Sequence, residues 1–358
     1  MTIGVIGAGI VGLSTAFALR ARGADVTVYE RGAPGNGQSG GESRIFRHAH
    51  DDRRLVAFAC DARAMWREWE EWFGEELLAR DGVVAVGAAA ARRLAVLHEA
   101  GGVRARALEA EELGGWLPLL APPDAPVIID EDGGVIHARA TIDALTEAVR
   151  DSLVVDEVIS VRLADSGAVE VRASGLHAEH ERVLLCAGRG TVALARGAGL
   201  PLPVRQAAHV RLTYRVRGQA PARLACLLDG GGAYGDPLPG NAAYAVGLGE
   251  TAVHEDGSLV DPAELATLAE RTSAYVARAL PGLEPGPIDI RHCWVTELPW
   301  SPDGIAVWEL GGLLAVAGNN LFKHAPALGR ALALAALGDD LAPNLRPEAK
   351  LGAETFRT

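Results

Sequence analysis

The stretch "TIGVIGAGIVGLSTAFALRARGADVTVYE", residues 2–30, decides the fold. It opens with a short, mostly apolar run, which is typical of a buried strand, and the glycines that follow indicate a turn. The next segment has the apolar spacing of a helix, and Gly23 is a suitable residue to end that helix. A second apolar run ends at Glu30. The stretch therefore predicts a complete β-α-β unit in about thirty residues.

The glycine turn carries the spacing G-x-G-x-x-G at Gly7, Gly9 and Gly12. The first glycine permits a tight turn, the second lets the backbone approach a pyrophosphate, and the third allows close packing of helix on strand. The N–H groups at the start of the helix can then bind phosphate. Glu30 is placed to accept hydrogen bonds from a ribose diol. These residues predict FAD or NAD, and not NADP.

Two features favour FAD over NAD. A second strand that ends in glycines, "LLCAGRG" (184–190), follows about 180 residues after the first. Between them, "VDEVISV" (155–161) has the pattern of an extended segment that could lie beside an adenine. A fold that binds a nicotinamide nucleotide does not need these additional segments to contact the cofactor. A fold that buries a long flavin nucleotide along its whole length does need them.

The overall composition limits the classes of protein to which this chain can belong. A chain of 358 residues is long for one core and favours two lobes. The net charge of −12, without a basic stripe, argues against a nucleic-acid partner. We find no signal peptide and no apolar run long enough for a membrane span. The four cysteines have no metal-ligand spacing, so we expect no metal site and a reduced, cytoplasmic protein.

Periodicity predicts the other main elements. A long helix is expected from about Arg54 to Leu78, with its aromatic side chains packed in the core. Two further helices are expected over 141–151 and 262–280. Strands are expected over 82–87 and 204–216, and the segment 153–173 resembles a β-hairpin.

The segment "NNLFKHAPALGR" (319–330) contains Lys323, one of only two lysines in the chain. A lysine retained in an apolar segment of such a chain suggests a geometric requirement. A helix is expected to start near Ala325–Pro326, because proline is favoured in a first turn. The alternative is that Lys323 extends from the helix start to solvent, although a cation at a helix N-terminus is electrostatically disfavoured.

Taken in order, five motifs make the chain resemble the D-amino acid oxidase superfamily, and within it the sarcosine oxidase and glycine oxidase branch. They are "GVIGAGIVG", "NGQSGGESRIFRHAH", "VLLCAGRG", "RHCWVTELPWSPDG" and "LLAVAGNNLFKHAPALGR". The resemblance covers nearly the whole chain. It implies a two-lobed α/β (α+β) fold, in which a Rossmann-type FAD-binding domain is joined to a substrate domain built on a mixed or antiparallel sheet.

The resemblance also implies a discontinuous division of the chain. The FAD-binding domain is expected to comprise residues 1–80, 136–205 and 293–358. The substrate-binding domain is expected to comprise 81–135 and 206–292, with its sheet over the flavin.

The family's substrate-binding positions correspond to five residues of this chain. Arg47 and Lys323 match the arginine and lysine that face the substrate carboxylate, which needs charge compensation beside a buried flavin. Arg44 matches an arginine near the flavin ring. His48 is expected either to hold Arg44 and Arg47 in place or to be an ordinary structural histidine. Tyr234 matches a tyrosine near the bound substrate.

The FAD-binding set follows from the nucleotide motif and from the resemblance together. The helix after Lys323 is expected to direct its N-terminus at the pyrimidine edge of the flavin. Cys293 matches the cysteine that carries flavin as a thioether in the sarcosine oxidase branch, and the alternative is a buried small hydrophobe. The full set is Gly7, Gly9, Ile10, Val11, Gly12, Glu30, Arg31, Gln38, Ser43, Arg44, Val158, Ala187, Gly188, Cys293, Gly318, Asn320, Leu321, Phe322 and Lys323.

Two departures from the family pattern bear on function. Ala245 stands where the oxygen-activating lysine of sarcosine oxidase is expected, which leaves the electron acceptor open. The loop before Lys323 is about two residues shorter than in the family, which leaves the shape of the pocket open.

The resemblance implies an FAD-dependent amine oxidase that acts on an N-substituted glycine. The products would be glyoxylate, an amine and hydrogen peroxide, with O2 as acceptor. The main alternative is a dehydrogenase for D-amino acids or proline-like substrates with a non-oxygen acceptor. A flavoprotein that modifies tRNA and a non-catalytic binding module are weaker alternatives. The sequence leaves open whether the substrate is a small molecule of primary metabolism or a biosynthetic intermediate. It also leaves open whether the protein is a monomer or a homodimer.

Overall fold

A computed structural model describes residues 1–254 and 258–353. The helices are α1 (Ile10–Arg20), α2 (Arg53–Phe73), α3 (Ala88–Ala100), α4 (Ala110–Trp116), α5 (Ala138–Ala148), α6 (Thr191–Gly197), α7 (Pro262–Ala279) and α8 (Leu321–Ala336). The strands are β1 (Thr2–Ile6), β2 (Asp25–Glu30), β3 (Ser43–Phe46), β4 (Val83–Val86), β5 (Ala105–Ala107), β6 (Val127–Asp130), β7 (Gly134–His137), β8 (Leu153–Val155), β9 (Val158–Leu163), β10 (Val169–Ala173), β11 (His177–His180), β12 (Arg182–Leu185), β13 (Arg205–Val216), β14 (Cys226–Asp229), β15 (Ala233–Pro237), β16 (Ala243–Thr251), β17 (Leu283–Glu297), β18 (Ile305–Leu310) and β19 (Leu313–Gly318).

The first sheet has six strands in the order β18-β19-β12-β1-β2-β8. β1 is central and pairs in parallel with β12 and β2, which confirms the predicted β-α-β unit. A buried apolar run such as Ile3–Ile6 suits a parallel sheet that is covered on both faces. α1 and α8 lie together on one face, and a Cβ at Gly329 of α8 would come 2.7 Å from the backbone of Ser14. That glycine allows the two helices to approach closely.

The second sheet has eight strands in the order β17-β13-β16-β15-β14-β4-β6-β5. Only the β14–β4 pair is parallel, so the predicted mixed sheet is confirmed. α7 covers one face, where the hydroxyl of Tyr214 lies 3.0 Å from Ser273. The opposite face is left open to the first lobe.

The helix α2 is shorter than predicted and ends at Phe73 instead of Leu78. Gly74 follows with φ 67°, a left-handed conformation that ends helices. Trp66 and Trp69 are buried, as expected of core residues, but Trp72 is 73% exposed. The stripe of aromatic residues therefore packs in the core over only part of its length.

Two predicted helix starts are wrong. α5 begins at Ala138, three residues before the predicted Thr141, and His137 precedes it without a capping hydrogen bond. α8 begins at Leu321, so Pro326 lies inside the helix and not in its first turn. The proline prediction failed because Pro326 follows a full helical turn that the sequence did not signal.

The two large sheets draw on separate segments of the chain. The first draws on 2–30, 153–155, 182–185 and 305–318, and the second on 83–130 and 205–297. β9, β10 and β11 form a separate three-stranded sheet. β17 continues past residue 293, where the FAD-binding domain was expected to resume. The division itself stays a prediction, and its last residues, 354–358, lie outside the described part of the chain.

In the part of the chain that the structure describes, no helix has both the length and the apolar character that a membrane span requires.

Candidate active site

A cavity of about 1250 Å³ lies between the two sheets. It runs from the glycine turn after β1 to the first turn of α8, and it exceeds the usual size of small-ligand pockets. Nearly all of the predicted site residues line it. Three do not: Gly12, Ser43 and His48.

The glycine turn forms one end of the cavity. The backbone N–H of Ile10 donates to Ser39 Oγ at 3.0 Å, and the residue that precedes α1, Gly9, has no side chain with which to cap the helix. A Cβ at Gly12 would lie 1.9 Å from the carbonyl oxygen of Gly7, so this glycine serves packing, as its position in the motif predicts. The first turn of α1 therefore presents backbone donors and the positive end of the helix dipole to the cavity.

The carboxylate of Glu30 is fixed at the cavity wall. One oxygen accepts from the N–H of Ala8 at 2.8 Å, and the other accepts from Gly32 at 3.1 Å. A carboxylate has about four lone-pair sites, so it keeps acceptor capacity for a ribose diol. Arg31, which follows it, forms an exposed ion pair with Glu157 at 3.6 Å.

The end of β12 forms the floor near the middle of the cavity. Gly188 has φ 55°, and a Cβ there would come 2.5 Å from Gln38 Oε1. Gln38 in turn donates to the carbonyl of Trp294 at 3.2 Å, so it ties the glycine-rich loop to β17. Ala187 and Val158 line the same region.

The first turn of α8 forms the other end of the cavity. Asn320 precedes the helix in a left-handed conformation, φ 55°. Gly318 has φ 154°, and a Cβ there would lie 2.4 Å from the carbonyl oxygen of Gly304. Asn320, Leu321 and Phe322 all line the cavity. The N-terminus of α8 therefore faces the cavity, although it begins four residues earlier than expected.

Lys323 lies in this first turn and is only 2% exposed. Its side chain does not extend to bulk solvent, which excludes the alternative reading, and it lines the cavity. Trp66 Nε1 donates to its carbonyl oxygen at 2.8 Å and fixes its backbone. Burial, followed by the charge of Arg47, holds the pKa of Lys323 well below its ordinary value.

Arg47 lies at the same end of the cavity as Lys323. Its Nη2 donates to Asp303 at 2.6 Å, and its Nη1 donates to the carbonyl of Ala49 and lies 3.2 Å from His50 Nδ1. The structure thus brings together the two cations predicted to bind a carboxylate. It adds a carboxylate, Asp303, that sequence reasoning missed.

His48 points away from the cavity. Its Nδ1 lies 3.1 Å from both carboxylate oxygens of Asp130, and its backbone N–H donates to Asp130 at 2.8 Å. Both side chains are almost fully buried. Of the two expectations for His48, this environment favours the structural histidine.

Arg44 shapes the glycine-rich loop before β3. Its guanidinium donates to the carbonyl of Ser43 at 2.7 Å, to that of Gln38 at 3.1 Å, and to that of Gly40. It also lies 5.8 Å from the centre of the Phe322 ring. Burial and the nearby charge of Arg211 lower the pKa of Arg44. It therefore brings a positive charge to the cavity without a carboxylate partner among the described residues.

The face of the second sheet that α7 does not cover forms the cavity wall opposite the first sheet. Tyr234 lies there beside His209, with ring centres 6.1 Å apart. Gly247 is paired with Tyr234 across the sheet, and a Cβ at Gly247 would come 2.4 Å from the tyrosine oxygen. Burial raises the pKa of Tyr234, and burial lowers that of His209. Both side chains are accordingly neutral near pH 7.

A buried ion pair on this wall was not predicted. Arg211 Nη2 lies 2.7 Å from both oxygens of Asp236 and 3.2 Å from Ser43 Oγ. Ser43 therefore contacts a cavity-lining side chain, although it does not line the cavity itself. The only signal for this pair was the alternation of the strands, which places both residues on the face that carries Tyr234.

Cys293 also lines the cavity, on β17 directly opposite His209 of β13. Its thiol is partly exposed and forms no disulfide. Among the described residues, no group of three His, Cys, Asp or Glu side chains could hold a metal ion.

The chain is similar in sequence to known proteins. The family model for FAD dependent oxidoreductases (DAO) matches residues 2–335. A Caenorhabditis elegans protein named "Putative sarcosine oxidase" is 30% identical over 149 residues, which is 40% of this chain and 38% of that protein. The chain thus spans about two fifths of that relative's length.

Several solved structures share the fold over almost their whole length. NikD, an unusual amino acid oxidase essential for nikkomycin biosynthesis, has a TM-score of 0.82 at 21% identity over 99% of this chain and 98% of its own. L-proline dehydrogenase from P. horikoshii has a TM-score of 0.82 at 20% identity, covering 96% and 95%. Glycine oxidase from Geobacillus kaustophilus has a TM-score of 0.80 at 19% identity, covering 99% and 98%.

The residues present fit an extended flavin nucleotide. Backbone donors at α1, the acceptor Glu30 and the open N-terminus of α8 all face one long cavity. Groups along this cavity match those that would bind a ribose, a pyrophosphate and an aromatic ring system. The family model covers most of the chain, so this protein belongs to the DAO family of FAD-dependent oxidoreductases.

Proposed function

We propose that the protein is an FAD-dependent oxidase of an N-substituted glycine. The observation that carries this proposal is Lys323, a lysine that is 2% exposed and lines the flavin cavity beside Arg47. Burying a cation is costly unless a negative partner completes the site. A substrate carboxylate would supply that partner.

The bound flavin supplies the chemistry, because it accepts a hydride equivalent from the carbon next to the amine. The residues of this chain bind and orient. Lys323 and Arg47 would hold the carboxylate, so that the α carbon lies over the flavin. The amino acid loses two electrons and two protons to become an imine, and water then cleaves the imine to glyoxylate and an amine. The two electrons and two protons convert O2 to hydrogen peroxide.

The wall opposite the carboxylate anchor favours a small amine that reacts in its neutral form. Tyr234 and His209 line it, and both are neutral near pH 7. Gly247 leaves room for the tyrosine ring. We therefore assign Tyr234 to substrate contact, while Arg44 and the first turn of α8 would hold the flavin.

The acceptor is open to a second reading, a dehydrogenase for D-amino acids or proline that does not use oxygen. Ala245, in place of a lysine, favours it. Arg211 favours the oxidase, because it brings a guanidinium to the same wall: its partner Asp236 is paired with Ala245 across the sheet. A fixed positive charge near the flavin stabilises negative charge that passes to oxygen.

We further propose that Cys293 carries the FAD as a thioether and that the protein works in the cytoplasm. The new C–S bond would replace the S–H bond of the thiol and one C–H bond of a flavin methyl group, and the two electrons and two protons released would pass to O2 and give hydrogen peroxide. The thiol of Cys293 faces the flavin cavity. All four cysteines are free, as is usual in a reducing compartment.

The first test is anaerobic bleaching of the flavin. The yellow protein would be mixed without oxygen with sarcosine, longer N-alkylglycines, glycine, L-proline, L-pipecolate and D-amino acids. We expect N-alkylglycines to bleach the flavin and air to restore it rapidly. Bleaching only by proline or D-amino acids, with slow recovery in air, would favour the dehydrogenase. In the variant Lys323→Met, N-alkylglycines should bleach the flavin only at concentrations about a hundredfold higher.

A further inference from the structure

Asp303 lies in the turn between β17 and β18 and contacts three groups around the carboxylate anchor. One oxygen accepts from Arg47 at 2.6 Å and lies 3.2 Å from His50 Nδ1. The other oxygen accepts from the side-chain amide of Asn320, the residue that precedes α8. A single carboxylate thus joins the loop after β3 to the start of the helix that faces the flavin.

The position of Asp303 is fixed by the backbone around it. The N–H of Asn319 donates to the carbonyl of Gly304 at 3.2 Å, and the N–H of Asp303 donates to Ser301 Oγ at 3.2 Å. A Cβ at Gly318 would collide with the same carbonyl of Gly304, at 2.4 Å. The turn that carries Asp303 therefore packs closely against the end of β19.

As a result, Arg47 is oriented before any substrate arrives. Both of its terminal nitrogens are engaged by Ala49, His50 and Asp303, and its side chain is 12% exposed. A cation fixed in its binding geometry loses little conformational entropy when a ligand binds. The substrate carboxylate would meet a preset guanidinium.

Asp303 also sets the charge of the anchor. With Lys323 in its protonated form, Arg47 and Lys323 together carry two positive charges, and the negative charge of Asp303 reduces the net charge of the anchor to one. That value matches a single substrate carboxylate. The other titratable or charged groups that face Lys323 are His50, His324, Arg93 and Asp130.

We propose that Asp303 is a positioning residue that holds Arg47 in its binding orientation and adds one negative charge beside the start of α8, so that the anchor accepts one carboxylate. This proposal rests on the proposed function, because it takes Lys323 and Arg47 as the carboxylate anchor. Burial and Arg47 lower the pKa of Lys323, whereas the negative charge of Asp303 opposes them. Burial alone would raise the pKa of Asp303, but Arg47 and His50 hold it well below its ordinary range, so it stays ionised.

The test is the pH dependence of benzoate binding to the flavin-loaded protein, followed by the change in flavin absorbance. In the native protein, benzoate should bind more weakly as pH rises through the pKa of Lys323. Asp303→Asn should move this alkaline limb to lower pH by about one unit, which weakens benzoate binding about tenfold at a fixed pH above it. Asp303→Glu should keep the limb near its native position.

A second variant tests the origin of the limb even if Asp303→Asn does not fold. Lys323→Arg should bind benzoate with no alkaline limb, because an arginine stays charged throughout the range. Asp151→Asn is the matched control, since it removes the carboxylate of an exposed pair with Arg20, 3.8 Å apart. It should leave the limb where it is.

Two results would overturn the inference: a limb that stays in place in Asp303→Asn, or a limb that persists in Lys323→Arg. Failure of the proposed function has a different signature. In that case benzoate would bind with the expected limb, but no N-alkylglycine would bleach the flavin of the native protein.

Discussion

Arg211 lies against Asp236, with one guanidinium nitrogen 2.7 Å from each carboxylate oxygen. Burial alone would lower the pKa of Arg211, but Asp236 raises it above its ordinary value, so the guanidinium is charged at every accessible pH. Asp236 is paired with Ala245, the position where the family resemblance implied a lysine. A cation therefore reaches this wall from β13, which was predicted as a strand but not as part of the site.

If this charge promotes reaction with oxygen, Arg211→Met should reoxidise slowly. We expect the reduced flavin of this variant to react with oxygen at least tenfold more slowly, which is a barrier increase of about 1.4 kcal/mol or more. The measurement is stopped-flow mixing of photoreduced protein with air-saturated buffer. Arg211→Lys, which keeps a charge, should lose less, and ferricyanide should reoxidise all forms at similar rates. Equal oxygen rates in Arg211→Met and native protein would contradict the assignment.

The glycine turn offers a test of cofactor binding. In Gly12→Ala, the new methyl group would lie 1.9 Å from the carbonyl of Gly7, so α1 must shift away from β1. We expect this variant to lose about 1–3 kcal/mol of stability and to purify with little flavin. The flavin content per protein follows from the visible absorbance. Gly197→Ala is the control, because a Cβ at Gly197 meets nothing within 4 Å and Gly197 does not line the cavity, so the flavin content should be unchanged.

The proposed thioether can be checked by acid precipitation. Native protein should carry its yellow colour into the pellet, whereas Cys293→Ser should release all flavin to the supernatant. Cys186→Ser should behave like native protein, because Cys186 is buried and burial raises the pKa of its thiol to about 12. Free flavin in the supernatant of the native protein would mean that Cys293 is only a cavity-lining thiol.

His324 should make the protein less stable in mild acid. It is 1% exposed, it stacks on Phe58 at 5.0 Å, and its Nδ1 has no partner among the described residues. Burial holds its pKa well below 6.5. Below pH 6.5 the unfolded chain binds a proton there that the folded protein does not, so stability falls by up to about 1.4 kcal/mol per pH unit.

This dependence is measurable by urea unfolding of the flavin-loaded protein between pH 5 and 7.5. His324→Phe should flatten the acid side of the profile. His98→Phe, at an exposed position, should not flatten it. An unchanged slope in His324→Phe would show that other groups dominate the acid sensitivity.

Local sequence signals predicted the parts of the fold that local physics determines. The spacing of Gly7, Gly9 and Gly12 predicted the β-α-β unit, because Gly7 adopts a positive φ of 100° and a Cβ at Gly12 would meet the carbonyl oxygen of nearby Gly7. The start of α8 was wrong because Pro326 suggested a first turn, while the true start depends on Asn320 and its contact with Asp303.

The site was predicted where a motif marks it and missed where contacts join distant segments. Lys323 was identified because a rare lysine stands out in an apolar run. Asp303 was passed over as part of "SPDG", since its partner Arg47 is 256 residues away. Arg211 lies in the predicted strand 204–216, but no strand was predicted around Asp236. Only the pairing of β13, β16 and β15 shows that the two residues are neighbours.

The cavity draws its walls from segments that lie far apart in the sequence. Gly7 and Lys323, which both line it, are 316 positions apart. During synthesis, β1 must wait for β12 and β19 before its sheet has those strands, and the nucleotide meets a complete binding surface only once α8 has emerged. Cofactor capture must therefore follow the synthesis of α8, and a chain truncated before α8 would leave its flavin cavity open at one end.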